Sequence, residues 1–506
     1  MDPVQGLLYG LQVALQPENL LAAFLGSLAG TAIGVLPGLG PVAGTALILP
    51  LTFSLEPTAG LIMMAAIFYG SMYGGSTTAI LLNIPGESAS VVTTMDGYKL
   101  TQKGRAGAVL AIVAVGSFIA GTVAVVGLML FAPVLARMAL LFGSPEYFAL
   151  TMGGLLVMAR ISGGRFASAV FPAALGLLLG TVGQEAVSAE HRFTFGILNL
   201  AEGFSLVPVI VGLYGVAEIM QMIERIFVRS QLASVRLSEL FPTRTEWRRS
   251  LAPWGRGTIL GFLFGLIPGP AATLASFASY RLEKAVSKYR HEIGQGAVEG
   301  VAAPEAANNA AATGALVPLL SLGIPFTPIA AIMISALIVQ GVQPGPLLIG
   351  QHPEIFWGLV GASYLGNIML LILNLPLVGI WVSLLRIPSY IFVPILLILA
   401  TIGAYSVRNS LFDLWVLFGM GLLGYALVKL RFELAPLVVG LILGPDIEKH
   451  FREGLFVSQG DLWTFIESPI SMGIWIGVAL ILFVPMVRGL LRRGRQPESG
   501  RLEDAF

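Results

Sequence analysis

The sequence contains no cysteine among its 506 residues, which excludes disulfides, thiolate metal sites and cysteine nucleophiles. Charge is scarce as well. Lys, Arg, Asp and Glu together make up 11% of the chain, whereas an ordinary soluble domain carries about 25%. Soluble domains adding up to this length would each need a charged surface that the chain cannot supply. A formal net charge of +1 gives no basis for nucleic-acid binding, which draws on excess cationic side chains. Histidine is limited to His191, His291, His352 and His450, all in more polar connecting stretches. With no HExxH pattern, haem and zinc membrane enzymes are not indicated. No Gly-Lys dipeptide occurs, which removes the Walker phosphate loop. No Lys or Arg precedes Lys99. The opening stretch 1–21 therefore lacks the basic start of a secretory signal, and this region is expected on the non-cytoplasmic side.

What remains is apolar sequence. The hydrophobic fraction is 56% and the mean hydropathy +0.84, the composition of an all-α polytopic membrane protein.

The two halves of the chain resemble each other. Gly30-xxx-Gly34-xx-Pro37-Gly38 matches Gly261-xxx-Gly265-xx-Pro268-Gly269. Ile84-Pro85 after Leu81-Leu82 matches Ile324-Pro325 after Leu319-Leu320. Pro145, Tyr147, Arg165 and Gly176 correspond to Pro388, Tyr390, Arg408 and Gly419, and 206–218 reads like 434–446. Four blocks in the same order imply a duplication. Charge gives its sense. Residues 223–256 hold seven Arg against three Glu, while the counterpart 446–468 holds five acids against Lys449 and Arg452. The loop with Lys99, Lys103 and Arg105 corresponds to 339–354, which has no Lys or Arg. Arg281, Lys284, Lys288 and Arg290 answer a first-half stretch offering only Glu56. Basic loops stay in the cytoplasm, so equivalent loops are predicted on opposite sides and the repeats are inverted. Arg137 and Arg408 do not fit this scheme.

The pattern predicts a first repeat over 1–222, a basic cytoplasmic linker at 223–256 and a second repeat over 257–446. A non-cytoplasmic loop at 447–468, a last helix at 469–489 and a cytoplasmic tail at 490–506 complete the chain. Residues 257–280 run between two basic stretches, and two limbs of a dozen residues cannot each span a bilayer that needs about 20. They are read as a re-entrant hairpin, with 20–55 as its mate. The stretches 58–98 and 298–338 are each read as one crossing broken at its Ile-Pro motif. Interrupted backbone at membrane depth survives only against protein or a water-filled cavity. Inverted repeats with broken helices are a known architecture of secondary transporters.

Free N–H groups at a break suit a carboxylate, and opposing carbonyls suit Na⁺. The substrate-binding candidates are Gly38 and Gly40 at the first tip, Gly269 at the second, Asn83, Pro85 and Gly86 at the first break, and Pro325 and Thr327 at the second. The polar clusters Ser76, Thr77, Thr78 and Asn308, Asn309 join them. Asn83, Asn309 and Thr313 are the candidates for a Na⁺ site. A single hydroxyl in such a helix serves packing at least as readily, whereas adjacent buried amides need partners. Glu305 is an intramembrane carboxylate candidate that could equally sit at the membrane boundary, and Glu87 could simply complement a helix dipole. No organic cofactor is implied.

The segments GTAIGVLPGLGP, YGGSTTAILLNIPGE, APEAANNAAATG and LGIP closely resemble the large permease subunit of tripartite tricarboxylate transporters, the TctA type, with similarity running from about Asn19 to Leu462. The resemblance implies an elevator-type secondary carrier in the bacterial inner membrane, importing carboxylates on a Na⁺ or proton gradient. Its implied partners are a small membrane subunit and a periplasmic solute-binding protein. Phe326 departs from the glycine expected after Ile-Pro, so the resemblance does not carry over citrate itself. A channel or non-transporting scaffold subunit is the alternative. An intramembrane enzyme is opposed by the lack of a recognisable nucleophile–base or metal set.

Overall fold

The computed structural model describes residues 2–36, 38–162, 166–185, 189–224, 240–384 and 389–493. Pro37, Arg165, Pro388, residues 225–239 of the basic stretch and the tail from 494 lie outside them. The N-terminal half contains α1 (Pro3–Ala14), α2 (Pro17–Val35), α3 (Pro41–Ile48), α4 (Pro57–Leu82) and α5 (Val91–Gln102). It continues with α6 (Ala106–Ala139), α7 (Ser144–Ser162), α8 (Phe166–Gly180) and α9 (Leu206–Glu224), the last with a π-helical segment at Val211–Val216. The C-terminal half contains α10 (Arg244–Gly265), α11 (Ala271–Val286), α12 (Glu299–Gly314), α13 (Leu316–Leu322) and α14 (Pro328–Val339). Then follow α15 (Pro353–Asn374), α16 (Val378–Leu384), α17 (Ser389–Arg408), α18 (Leu411–Lys429), α19 (Ala435–Val457) and α20 (Pro469–Arg493). A two-residue ribbon pairing Gly183–Gln184 with His191–Arg192 is the β structure found among the described residues.

The chain starts many of these helices with proline: α1, α2, α3, α4, α14 and α15 each have one at their first position, where its missing N–H costs nothing and its fixed φ is already helical. Six helical stretches among the described residues are long and apolar enough to cross a membrane: Pro17–Val35, Ala106–Ala139, Leu206–Glu224, Pro353–Asn374, Ile391–Arg408 and Leu411–Lys429. The protein is an all-helical polytopic membrane protein.

Lipid tails are as apolar as leucine, so close backbone approach drives packing here. Gly26, Gly30 and Gly34 of α2 lie against the main chain of Met63, Ile67 and Ser71 on α4. A Cβ at Gly34 would sit 2.2 Å from the Ser71 carbonyl oxygen. Gly257, Gly261 and Gly265 of α10 lie in the same way against Ala303, Ala307 and Ala311 of α12. Other pairings cross between the halves: α6 packs on α12 and α15 on α4, while α8 packs on α19 and α18 on α9.

The ends of α4 locate the loops. Near one end the Thr101 hydroxyl donates to the Ile80 carbonyl at 2.8 Å, and Lys99 and Lys103 donate to main-chain carbonyls of Gly294 and Gln295. Near the other end Gly60 approaches Gln340, whose amide donates to Thr52 and Leu55 carbonyls at 3.1 and 3.0 Å. Twenty residues of helix separate Gly60 from Ile80, about 30 Å. The loop after α5 and the loop after α14 therefore lie at opposite ends of α4.

Three boundaries differ from expectation. α10 begins at Arg244, inside the stretch expected to be linker, because Thr243 and Glu246 form a capping box that satisfies the first free N–H groups. Glu246 also takes a two-pronged ion pair from Arg105 at 3.0 and 2.5 Å. α2 has 19 residues and is itself long and apolar enough to cross, so shortness does not force a re-entrant hairpin there. α19 runs on to Val457, into the segment expected to be loop. There the polar turn is held by Arg452 to Glu448 four residues back at 2.9 Å, and by Arg192 to the same carboxylate. Arg408, misplaced by charge alone, is paired with buried Asp413 at 2.6 Å, so it carries no free charge to set topology.

Candidate functional site

Both interrupted helices end in the left-handed region. α4 stops at Asn83 with φ 58°, and α13 at Gly323 with φ 71°. Such a residue turns the chain out of the helix, and the Ile-Pro that follows cannot re-enter it. After the first break Gly86 is wedged against α2 and α4, where a Cβ would sit 2.3 Å from the Gly34 carbonyl oxygen. After the second, the Thr327 hydroxyl accepts from the Ala330 N–H at 3.2 Å and caps α14. The turn between α10 and α11 meets this second break directly: Gly269 donates its N–H to the Phe326 carbonyl at 2.9 Å. The Phe326 ring packs at Gly154 of α7.

The turn between α2 and α3 faces open space. A Cβ at Gly40 would meet nothing within 4 Å. Gly38 and Gly40 line a cleft of about 220 Å³ with Glu87 and Ser88 from the first break, and with Tyr214, Glu218 and Gln221 from α9. The π-helical segment of α9 supplies Tyr214; such segments concentrate at functional sites. Ser88 Oγ lies 2.8 Å from Thr273 Oγ1 on α11, so the first break also touches the start of α11.

Between α4, α5 and α12 lies a polar cluster of fully enclosed side chains. Glu305 is 0% exposed and accepts from Ser76 on α4, from Thr93 on α5 and from Asn308 Nδ2 at 3.1 Å. Asn309 Nδ2 donates to Ser117 Oγ on α6 at 2.9 Å, to Asn308 Oδ1 at 2.7 Å and to the Glu305 carbonyl at 3.0 Å. Four helices from both halves thus share one hydrogen-bond network.

The structure brings Ser76, Asn308 and Asn309 together around Glu305. Thr77 and Thr78 are buried on the same stretch of α4, with Thr78 Oγ1 turned back to the Gly75 carbonyl at 3.0 Å. Pro85, Gly86, Pro325 and Thr327 lie in the breaks, and Gly38, Gly40 and Gly269 in the turns. Asn83 stands apart. It is exposed and lines a different pocket with Lys99, Tyr280 and Lys284. Ser76 meets Glu305, while Ile80 lies by Thr101 and the neighbouring Lys99 and Lys103 reach the 294–295 carbonyls ahead of α12; α4 and α12 thus run antiparallel, so Asn83 and Asn309 lie on opposite sides of the Ser76–Glu305 bond, about 16 Å apart along the helices. Thr313 follows Asn309 by one turn and donates back to its carbonyl at 3.4 Å. The three residues named for one Na⁺ site do not converge. Among the described residues no group of three His, Cys, Asp or Glu is placed to hold a metal ion.

Sequence reasoning did not single out Asp96, Thr93 or Ser117. Asp96, 0% exposed, accepts the Tyr280 hydroxyl at 3.0 Å and the N–H groups of Gly294, Gly296 and Ala297 at 2.9, 2.6 and 2.8 Å. Its signal was a lone acid in an uncharged stretch ahead of Lys99. Outside the membrane-spanning segments, burial pushes the Glu246 carboxyl up, but the Arg105 and Thr243 donors outweigh it and hold the group below the ordinary glutamate value.

No solved structure matches the chain. A protein of Agrobacterium vitis described as "Uncharacterized 52.8 kDa protein in TAR-I ttuC' 3'region" is 46% identical over 491 residues, covering 96% of this chain and 98% of that one. A second from the same organism, "Uncharacterized protein in TAR-II ttuC' 3'region", is 45% identical over 231 residues, covering 45% of this chain and 96% of its own length. Residues 20–439 match the description of the tripartite tricarboxylate transporter TctA family. With its apolar helices, paired breaks and shared buried network, the chain belongs to the TctA family of tripartite tricarboxylate transporters.

Proposed function

We propose that the protein is the large permease subunit of a binding-protein-dependent secondary carrier that imports tricarboxylates or related carboxylates, driven by a Na⁺ or proton gradient. It works in the bacterial inner membrane with its C-terminus in the cytoplasm. It is joined there by a small membrane subunit and served by a periplasmic solute-binding protein. The halves are inverted repeats, supported by the opposite placement of equivalent loops on α4 and by the paired crossings of α6 on α12 and α15 on α4. Substrate meets the interrupted backbone, and the hairpin-bearing helices move against the rest as in an elevator.

The observation that carries this reading is the association of each turn with a broken helix: Gly269 with Phe326, and Gly38–Gly40 with Glu87–Ser88 around one cleft. Unpaired backbone groups at a break can replace a solute's hydration shell. The test is reconstitution into liposomes with the small subunit and the binding protein, using a panel of radiolabelled carboxylates under imposed Na⁺ or pH gradients. Saturable, gradient-dependent accumulation that requires the binding protein is expected. Flux that is linear in concentration and indifferent to gradient would identify a channel, and no flux a scaffold.

A further inference from the structure

Among the described residues Glu305 has no cationic partner. Its three side-chain partners are Ser76, Thr93 and Asn308, and it is fully buried. The cations on the surrounding elements lie elsewhere: Lys99 of α5 donates to the Gly294 carbonyl, and Arg244 and Arg248 of α10 and Arg281 and Lys284 of α11 are exposed. α6 carries no titratable residue between Arg105 and Arg137, α13 carries none, and α4 offers Tyr69 and Tyr73 alone. Asp96 of α5 is committed to Tyr280 and the 294–297 main chain. On α10, Arg249 is bound to Glu292 and Glu299, and Arg256 to Glu283 of α11. What lies nearby is a second carboxyl, Glu87, and not a cation. Its Cγ lies 3.0 Å from where a Cβ on Gly75 would stand, beside the Ser76 that binds Glu305. Glu87 Oε1 is buried with no protein hydrogen-bond partner, and Glu87 lines the cleft beneath the first turn.

The hydrogen-bond network has room for a proton on Glu305. Ser76 Oγ contacts both Glu305 Oε2 and the Met72 carbonyl, the latter at 3.0 Å. A hydroxyl has one proton to give. With Glu305 ionised, Ser76 Oγ must share its one proton between the two; with Glu305 Oε2 protonated, the first contact reverses, Oε2 donating to Ser76 Oγ while Ser76 Oγ donates to the Met72 carbonyl, and both are met. Thr93 then donates to Oε1, and Asn308 to the remaining lone pair of Oε2. A buried carboxyl without a cation is stable in this neutral form.

Resting on the reading of the protein as a gradient-driven carrier, we propose that Glu305 is the proton-binding group that couples transport to a proton gradient, reached from the cleft through Glu87. In the loading step one proton from the cleft side converts the Glu305 carboxylate to the acid and removes one negative charge from the pair of carboxyls. Release on the other side returns the proton to water and restores the carboxylate. The fully paired network is the loaded state.

Infrared difference spectra of the purified protein in liposomes, between mildly acidic and mildly alkaline buffer, read the proton without any substrate. A carbonyl-stretch band of a buried carboxylic acid is expected in the wild type, shifted by ¹³C-glutamate labelling and lost in Glu305→Gln. With whichever radiolabelled tricarboxylate or dicarboxylate of the panel the wild type accumulates as the probe, Glu305→Gln is expected to lose accumulation driven by a pH gradient, falling to equilibration at most. Glu305→Asp is expected to keep the band and part of the accumulation, which covers the case in which the glutamine variant does not insert. Glu87→Gln is expected to keep the band while slowing pH-driven uptake severalfold. A band unaffected by Glu305→Gln, or that variant accumulating the same carboxylate under a pH gradient as the wild type does, overturns the proposal. So does a wild type driven by Na⁺ alone. A wild type that carries no carboxylate under any gradient refutes the transport reading instead, and the infrared band still decides whether Glu305 holds the proton.

Discussion

The close seam between α10 and α12 can be probed with two glycines on one helix. A Cβ at Gly261 would stand 2.2 Å from the Ala307 carbonyl oxygen, whereas one at Gly255 would meet nothing within 4 Å. Ordinary contact begins near 3.4 Å, so Gly261→Ala must push the two helices apart by about 1.2 Å. Both changes gain the same helical preference, about 0.5–1 kcal/mol for alanine over glycine. The difference between them therefore isolates overpacking, which costs ~1–3 kcal/mol where backbone cannot yield. In detergent micelles Gly261→Ala should melt roughly 1–3 °C below Gly255→Ala. Gly34→Ala, facing the Ser71 carbonyl at 2.2 Å, should fall with Gly261→Ala. If Gly261→Ala melts at or above Gly255→Ala, backbone proximity does not hold these helices and the account of the seam is wrong.

Asn309→Leu leaves Asn308 Oδ1 and Ser117 Oγ without their donor. It should cost ~1–3 kcal/mol and abolish binding or coupling while membrane expression persists; wild-type uptake would remove Asn309 from the site. Glu246 is held below the ordinary glutamate range by its Arg105 and Thr243 donors, after burial has pushed it up. Its contribution is present above that range and is lost as pH falls through the lowered value. Melting curves from neutral to acid pH should thus show a steeper loss in the wild type than in Glu246→Gln, and parallel curves would contradict this. Because the chain has no cysteine, Lys103→Cys and Gln343→Cys can be labelled singly in oriented vesicles. A membrane-impermeant maleimide should reach them from opposite sides, and labelling from one side would refute the inverted arrangement.

The breaks were legible because Asn, Gly and Pro interrupt apolar text at Ile84-Pro85 and Ile324-Pro325, and few other residues can end a buried helix there. The start of α10 was also written locally, as Thr243 and Glu246 three apart, but the surrounding arginines masked it as linker. α19 was cut short for a related reason: Glu448 and Arg452 lower the local hydropathy yet bind each other one turn apart. The network around Glu305 was beyond a linear reading. Ser76 and Thr93 lie more than two hundred residues from it, and nothing in their own neighbourhoods names the partner. Asn83 was misjudged as a companion of Asn309 because proximity to a break says nothing about the side on which the antiparallel neighbour passes.

Asp96 has a mechanical consequence. It belongs to the helix that resumes after the first break, yet it grips the main chain leading into α12 through three separate N–H groups, with Lys99 and Lys103 grasping the carbonyls alongside. Sliding either interrupted helix past the other would tear this clasp and leave a dehydrated carboxylate behind. The two must ride as a single block, so that whatever one break holds, the other carries with it.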